Sequence, residues 1–173
     1  MASRKSFRGS SEVFMEETDN FDRVYTAALN ILALREHSEK ELREKLVRKF
    51  GSAGETTDRV IARLSELGYL SDVRYAEMAV RHFSGKGYGP HRIRAELLKK
   101  GVNPEEQEAC PVPDDEEFVS RARALVEKKY GAPEDMDFAV RRKAMAFLAR
   151  RGFTGEQCLK ALRADADDFG GDW

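Results

Sequence analysis

Two segments of the chain concentrate arginine and lysine, the side chains that bind phosphate and carboxylate groups through charge-assisted hydrogen bonds. Segment 92–100 carries four of them against a single acid, Glu96, and segment 141–151 carries five with no acid. The nine candidate binding residues are Arg92, Arg94, Lys99, Lys100, Arg141, Arg142, Lys143, Arg150 and Arg151. They predict a local basic surface that binds an acidic or phosphate-bearing partner.

The position of a cation along its helix separates two explanations for these residues. Cations near a helix C-terminus interact favourably with the helix dipole, which accounts for Lys99, Lys100, Arg150 and Arg151 without any partner. The triplet 141–143 lies near a predicted helix start, where the dipole disfavours positive charge. Anion binding is therefore the better explanation for this triplet.

The residue types used in catalysis and metal binding form no recognisable pattern. The three histidines are scattered, and Cys110 and Cys158 lie in no metal-binding or redox motif. The glycine-rich segment 85–89 lacks the Gly-Lys-Ser/Thr ending of a phosphate-binding loop and is interpreted as a turn. We predict no catalytic residues, no metal and no cofactor, and two ordinary thiols of a reducing cytoplasm. An enzyme with an unrecognised pair of acids remains an alternative.

Composition narrows the classes of function. The 173 residues include 30 basic and 31 acidic side chains, a net charge of −1, so bulk electrostatics cannot hold the chain on nucleic acid. No apolar run approaches the roughly 20 residues of a membrane span, and the N-terminus carries no secretory pattern. We expect a monomeric cytoplasmic protein without a membrane partner.

Apolar residues recur at helical spacing along most of the chain, and strand patterns are missing. A first helix is predicted at about 22–36, and Ser38 with Glu41 indicates a capped start of the second helix. Phe138 is placed on a buried face with Met145 and Leu148. The sequence therefore predicts an all-α fold.

The helices form a repeat. The middle helix of each group ends in a glycine, at Gly51, Gly101 and Gly152, 50 and then 51 residues apart. Such a period predicts three tandem three-helix repeats in an elongated, curved array. The predicted segments are a flexible arm at 1–20, repeats at 21–70, 71–113 (with a short third helix) and 114–164, and an acidic tail at 165–173.

Four motifs in order resemble the RecX family, bacterial regulators of the RecA recombinase. The segment 86–93 (KGYGPHRI), followed by Glu96-Leu97 and Lys100-Gly101, resembles its central motif. Segment 67–72 (LGYLSD) is similar to the junction of its first two repeats, and 147–153 (FLARRGF) to its closing signature. The region from Ala28 to Leu46 resembles its first repeat. The matches span about residues 22–163.

The resemblance implies both fold and function. It implies three tandem three-helix repeats that bind RecA, free and as a filament on single-stranded DNA. It also implies inhibition of ATP hydrolysis, strand exchange and coprotease activity, with DNA contacted weakly or through the filament. The alternative that the residues leave open is an autonomous helical DNA-binding module.

Overall fold

The computed structural model describes residues 9–51, 54–110 and 113–163. Within these ranges the backbone forms nine α-helices, one 3-10 turn at Pro133–Asp135 and no strand, so the predicted all-α class is confirmed. The helices are α1 (Gly9–Leu32), α2 (Glu39–Phe50), α3 (Glu55–Glu66), α4 (Asp72–Gly85), α5 (Pro90–Lys99), α6 (Pro104–Glu108), α7 (Asp115–Tyr130), α8 (Phe138–Arg150) and α9 (Gly155–Leu162).

The chain divides into two compact units between Tyr75 and Ala76, within α4. The first unit contains α1, α2, α3 and the first turn of α4. The second contains the rest of α4 and the helices α5 to α9, so the second and third groups of three helices share one unit.

The first unit has a core contributed by all three of its complete helices. Its buried apolar residues are Val24, Ala27 and Ala28 of α1, Leu42 and Leu46 of α2, Val60, Ile61 and Leu64 of α3, and Leu70. Each large side chain among them contributes roughly 1.5–3 kcal/mol when it leaves water. A short amphipathic helix such as α2 depends on this tertiary packing for its stability.

The core of the second unit likewise contains buried apolar residues from three helices, α7, α8 and α9. Its apolar residues there are Phe118, Ala122 and Val126 of α7, Ala144, Phe147 and Leu148 of α8, and Cys158, Ala161 and Leu162 of α9. Because the apolar face of α8 is committed to this core, its charged residues are left on the solvent side or at the helix ends.

Helix ends follow the local signals in the sequence. The side chains of Ser38, Asn103 and Thr154 accept hydrogen bonds from backbone amides in the first turns of α2, α6 and α9. The glycines that close the three middle helices, Gly51, Gly101 and Gly152, share φ values of 89°, 88° and 86°, which non-glycine residues rarely adopt. The glycine that ends each middle helix therefore has nearly the same φ value in all three groups.

The first helix differs from its predicted bounds. It begins at Gly9 instead of about residue 22 and ends at Leu32 instead of 36. Its N-terminal part lacks apolar periodicity but contains glutamates, which have high helix propensity. Residues 1–8 of the predicted arm and the predicted acidic tail at 165–173 lie outside the described residues.

Candidate binding surface

The nine candidate residues lie on the middle helices of the second and third groups, or directly after them. Four are on α5 or at its end, and five are on α8 or at its end. Seven of the nine side chains are exposed, whereas Arg141 and Arg151 are half-buried. Both helices belong to the second compact unit.

The start of α5 meets the end of α8 through the backbone. The amide of Gly89 donates to the carbonyl of Arg151 at 2.9 Å, and that of His91 donates to the carbonyl of Gly152 at 3.0 Å. A Cβ atom at Gly89 would overlap the backbone of Gly152 and Phe153, and one at Gly152 would overlap the backbone of Arg92. We call this contact the backbone joint. It brings the first turn of one basic helix against the last residues of the other.

Arg151 is part of the backbone joint. Its Nη1 atom donates to the carbonyls of Lys86 and Gly87, both at 3.0 Å. Its guanidinium also lies 4.9 Å from the centre of the Phe147 ring. Two motifs that the sequence analysis treated separately, 86–93 and 147–153, are therefore opposite sides of one contact. Spacing along the chain gave no signal for this pairing.

Three more of the candidate residues have partners within the second unit. The Arg141 guanidinium donates to the carbonyl of Pro133 at 3.0 Å. The Arg92 guanidinium lies 4.1 Å from the centre of the Tyr88 ring, a cation–π contact. Lys99 forms an ion pair with Glu96 at 3.0 Å. Part of the positive charge is thus already used inside the fold.

The exposed cations without such partners concentrate on α8. Among the described residues, Arg142, Lys143 and Arg150 have no hydrogen bond, ion pair or ring contact, and neither does Arg94 of α5. The three α8 residues lie at positions that share the solvent side of the helix, together with Ala139, Ala146 and Ala149. Helix α8 itself contains no acid. We call this side the outer face of α8.

One residue of the outer face was assigned wrongly from the sequence. Phe138, placed on the buried face with Leu148, is 81% exposed. The side chain of Asp137 caps α8 by accepting from the amide of Val140, which makes Phe138 the first helical residue. Met136 and Pro133, which precede α8, are buried instead. The signal that could have located Phe138 is the N-cap aspartate directly before it.

The first unit uses another of the motif segments as a joint. The carboxylate of Asp72, at the start of α4, accepts from the amide of Glu39 at 2.7 Å. Arg74 donates to the Glu36 carboxylate at 3.0 Å and to the Tyr69 carbonyl at 3.2 Å. We call this contact the side-chain joint. The motif 67–72 therefore connects the loops at one end of the first unit.

His37 and the two cysteines are buried within the fold. His37 is buried, and its Nδ1 and Nε2 atoms lie 2.9 Å from the Arg35 carbonyl and 2.6 Å from Lys45 Nζ. Burial raises the pKa of the Cys110 and Cys158 thiols, which makes both less reactive. Across residues 9–51, 54–110 and 113–163, no group of three metal-ligating side chains occurs. No helix there is long and apolar enough to span a membrane.

The fold and its exposed cations define a helical-repeat protein with a basic surface. Family models of RecX match all three groups of helices: the first three-helix domain at residues 25–64, the second at 71–110 and the third at 115–162. The chain belongs to the RecX family of regulatory proteins.

Individual relatives agree with this assignment. The chain is 41% identical over 141 residues to a regulatory protein RecX from Stenotrophomonas maltophilia, covering 82% of this chain and 86% of the relative. A regulatory protein RecX from Xanthomonas axonopodis pv. citri is 38% identical over 141 residues, again covering 82% of this chain and 86% of the relative. The crystal structure of RecX from Lactobacillus salivarius, 26% identical, covers 84% of this chain and 96% of its own, with a TM-score of 0.74. A second RecX crystal structure, 18% identical with a TM-score of 0.76, shares the fold.

Proposed function

We propose that this protein is a non-enzymatic regulator that binds the RecA recombinase, free and as a filament on single-stranded DNA. It inhibits ATP hydrolysis, strand exchange and coprotease activity, and so modulates recombination, DNA repair and the SOS response. It acts as a monomer in the cytoplasm. Membership of the RecX family over most of the chain is the observation that carries this proposal.

The basic surface supplies a physical means of binding. Arginine side chains pair bidentately with carboxylates of a protein or with phosphates of DNA. All nine candidate residues belong to this proposed interface, but Arg142, Lys143 and Arg150 are the ones we expect to contribute most. They are exposed and have no partner within the described residues, so binding breaks no internal contact.

Fixed geometry between the two basic helices supports the proposed inhibition. The backbone joint restricts how α5 and α8 move relative to each other, because two main-chain hydrogen bonds and two from the Arg151 guanidinium cross it. A partner bound by both helices would be held in one arrangement. Holding neighbouring recombinase subunits in this way opposes the subunit motions that ATP hydrolysis and strand exchange require.

The direct test measures RecA ATP hydrolysis on single-stranded DNA during titration with the purified full-length protein. We expect inhibition, and the absence of any effect at several-fold molar excess would overturn the proposal. The variant in which Arg142, Lys143 and Arg150 are each changed to Glu should inhibit much less.

A matched control separates local from overall charge. The exposed residues Arg23, Arg48 and Lys128 lie outside the proposed interface, and changing all three to Glu alters the net charge equally. This control should inhibit normally. Equal loss of inhibition in both triple variants would show that overall charge, and not the outer face of α8, determines binding.

A further inference from the structure

The exposure of Phe138 requires an explanation that the core does not provide. An aromatic ring that is 81% exposed at the start of a helix contributes little to folding. Its ring makes no aromatic or cation–π contact with the described residues. The other rings near the basic helices are already covered: Arg92 and Phe83 occupy Tyr88, and Lys129 and Arg151 lie against Phe147. Phe138 is therefore the aromatic ring of this region that can receive a partner.

Phe138 lies on the same face as the unpartnered cations. Arg142 follows it by four residues, a spacing that places two side chains next to each other on a helix. Arg150 lies about 12 Å from Arg142 along the helix axis, given the rise of about 1.5 Å per residue. Positive groups thus extend over two turns beyond the ring.

The small residues of the outer face let a partner approach closely. Ala139, Ala146 and Ala149 are exposed and present only methyl groups between the cations. A flexible polyanion can therefore lie along the helix without displacing long side chains. Because α8 contains no acid, no residue of the helix repels it.

An exposed ring beside a line of cations fits single-stranded nucleic acid better than an acidic protein surface. Proteins that bind single strands combine cations along the phosphates with aromatic rings on which unpaired bases stack. An acidic peptide would use the cations equally well but provides no general partner for the ring. A duplex would use the cations and leave the ring unstacked, because its bases are paired.

We propose that the outer face of α8 binds single-stranded nucleic acid, with Phe138 stacking on an unpaired base and Arg142, Lys143 and Arg150 pairing with phosphates. This inference rests on the proposed function, because the single strand that the outer face would bind is the DNA of the RecA filament. Its test does not require the recombinase.

The test measures binding of full-length protein to a fluorescently labelled thymidine oligonucleotide by anisotropy, at low salt and at several higher salt concentrations. Phe138→Ala should weaken binding at least about fivefold, the lower end of the loss typical of one stacked base. Phe138→Trp should bind at least as well as the original protein. Changing Arg142, Lys143 and Arg150 to Gln should reduce the slope of log K against log salt by about two, at roughly 0.7 per phosphate.

An oligonucleotide of abasic sites provides the decisive control. It keeps the phosphates and removes the bases, so Phe138→Ala should not change the affinity for it. The triple Gln variant should bind it less tightly than the original protein does. Equal effects of Phe138→Ala on both oligonucleotides would overturn the stacking role. Undetectable binding of single strands at low salt would overturn the whole inference.

Inhibition of RecA by the same variants separates this inference from the proposed function. If Phe138→Ala abolishes inhibition while single-strand binding is unchanged, the outer face contacts protein, and the inference fails while the proposed function stands. If single-strand binding behaves as expected but the protein never inhibits RecA, the proposed function fails and the inference stands. Circular dichroism checks that each variant remains helical.

Discussion

The start of α2 in the first compact unit and the start of α5 in the second are connected to the rest of the fold in different ways. In the first unit, the amide of Glu39 at the start of α2 donates to the carboxylate of Asp72. In the second, the amides of Gly89 and His91 at the start of α5 donate to backbone carbonyls beyond the end of α8. Every contact of the first joint involves a side chain, whereas the second contains hydrogen bonds between main-chain groups alone.

This difference changes what each joint tolerates. The ion pair between Arg74 and Glu36 in the side-chain joint is about 40% exposed on each side, so salt screens it and its net contribution is small. The two main-chain hydrogen bonds of the backbone joint carry no net charge for salt to screen, but they depend on the absence of a Cβ atom at two positions. We expect salt to weaken the side-chain joint gradually. A single added methyl group at Gly89 or Gly152 should disrupt the backbone joint.

The largest expected effect is that of Gly152→Ala. The added Cβ would overlap the backbone of Arg92, and the φ of +86° is strained for alanine. Strain and overlap add, so the free energy of unfolding should fall by more than about 3 kcal/mol. Urea denaturation followed by circular dichroism measures the loss.

Gly131→Ala is the matched control in the same unit. Its φ is +91°, but nothing lies within 4 Å of the point that an added Cβ atom would occupy, so only backbone strain applies. The loss should be about 1 kcal/mol. If the two variants lose equal stability, close approach of the backbones is not what makes Gly152 necessary.

Arg151→Ala should have the next largest effect. It removes the two hydrogen bonds to the carbonyls of Lys86 and Gly87, and a charged donor contributes about 2 kcal/mol in such contacts. Amide hydrogen exchange should increase at Gly89 and His91. Arg151→Lys keeps the charge and loses the planar fork, so it should recover only part of the protection. Normal protection in Arg151→Ala would show that the backbone hydrogen bonds suffice without the guanidinium.

Asp72→Ala should cost less than either change in the backbone joint. The amide of Glu39 loses its acceptor but lies at an exposed helix start, where water replaces the carboxylate, so about 1 kcal/mol is expected. Asp72→Asn keeps an acceptor oxygen and should lose less than half of that. Urea denaturation of both variants tests the order. A loss from Asp72→Ala as large as that from Gly152→Ala would contradict the distinction between the joints.

The parts of the fold that sequence predicts well are those fixed by neighbouring residues. Ser38, Asn103 and Thr154 cap helices because a cap needs only the amides two or three residues later. The closing glycines at 51, 101 and 152 likewise depend on local conformation. The helical content and the three groups of helices follow from these signals together with apolar spacing.

The proposed binding surface was harder to predict because it depends on which segments meet in space. Nothing local to Arg151 indicates that its guanidinium binds carbonyls 64 and 65 residues earlier in the chain. Phe138 is exposed while Met136 and Pro133 are buried, a difference that apolar spacing does not indicate. Charge counting found the basic helices, but only the fold separates cations with internal partners from those on the outer face.

The smallest expected effect is a loss of stability of the first unit in mild acid, through His37. A carbonyl can only accept, so Nδ1 donates to Arg35 and the neutral ring accepts from Lys45 at Nε2. Burial lowers the pKa of His37, and the nearby charges of Arg35 and Lys45 act in the same direction, against the opposing effects of the hydrogen bond to the Arg35 carbonyl and of Glu41. The unfolded chain therefore binds a proton more readily than the folded one, and stability falls as pH decreases through about 6.5, the ordinary value for histidine. His37→Gln, which can also accept from Lys45, should remove this decrease between pH 7.5 and 5.5 when urea midpoints are compared. The same decrease in that variant would assign the acid sensitivity of the first unit to groups other than His37.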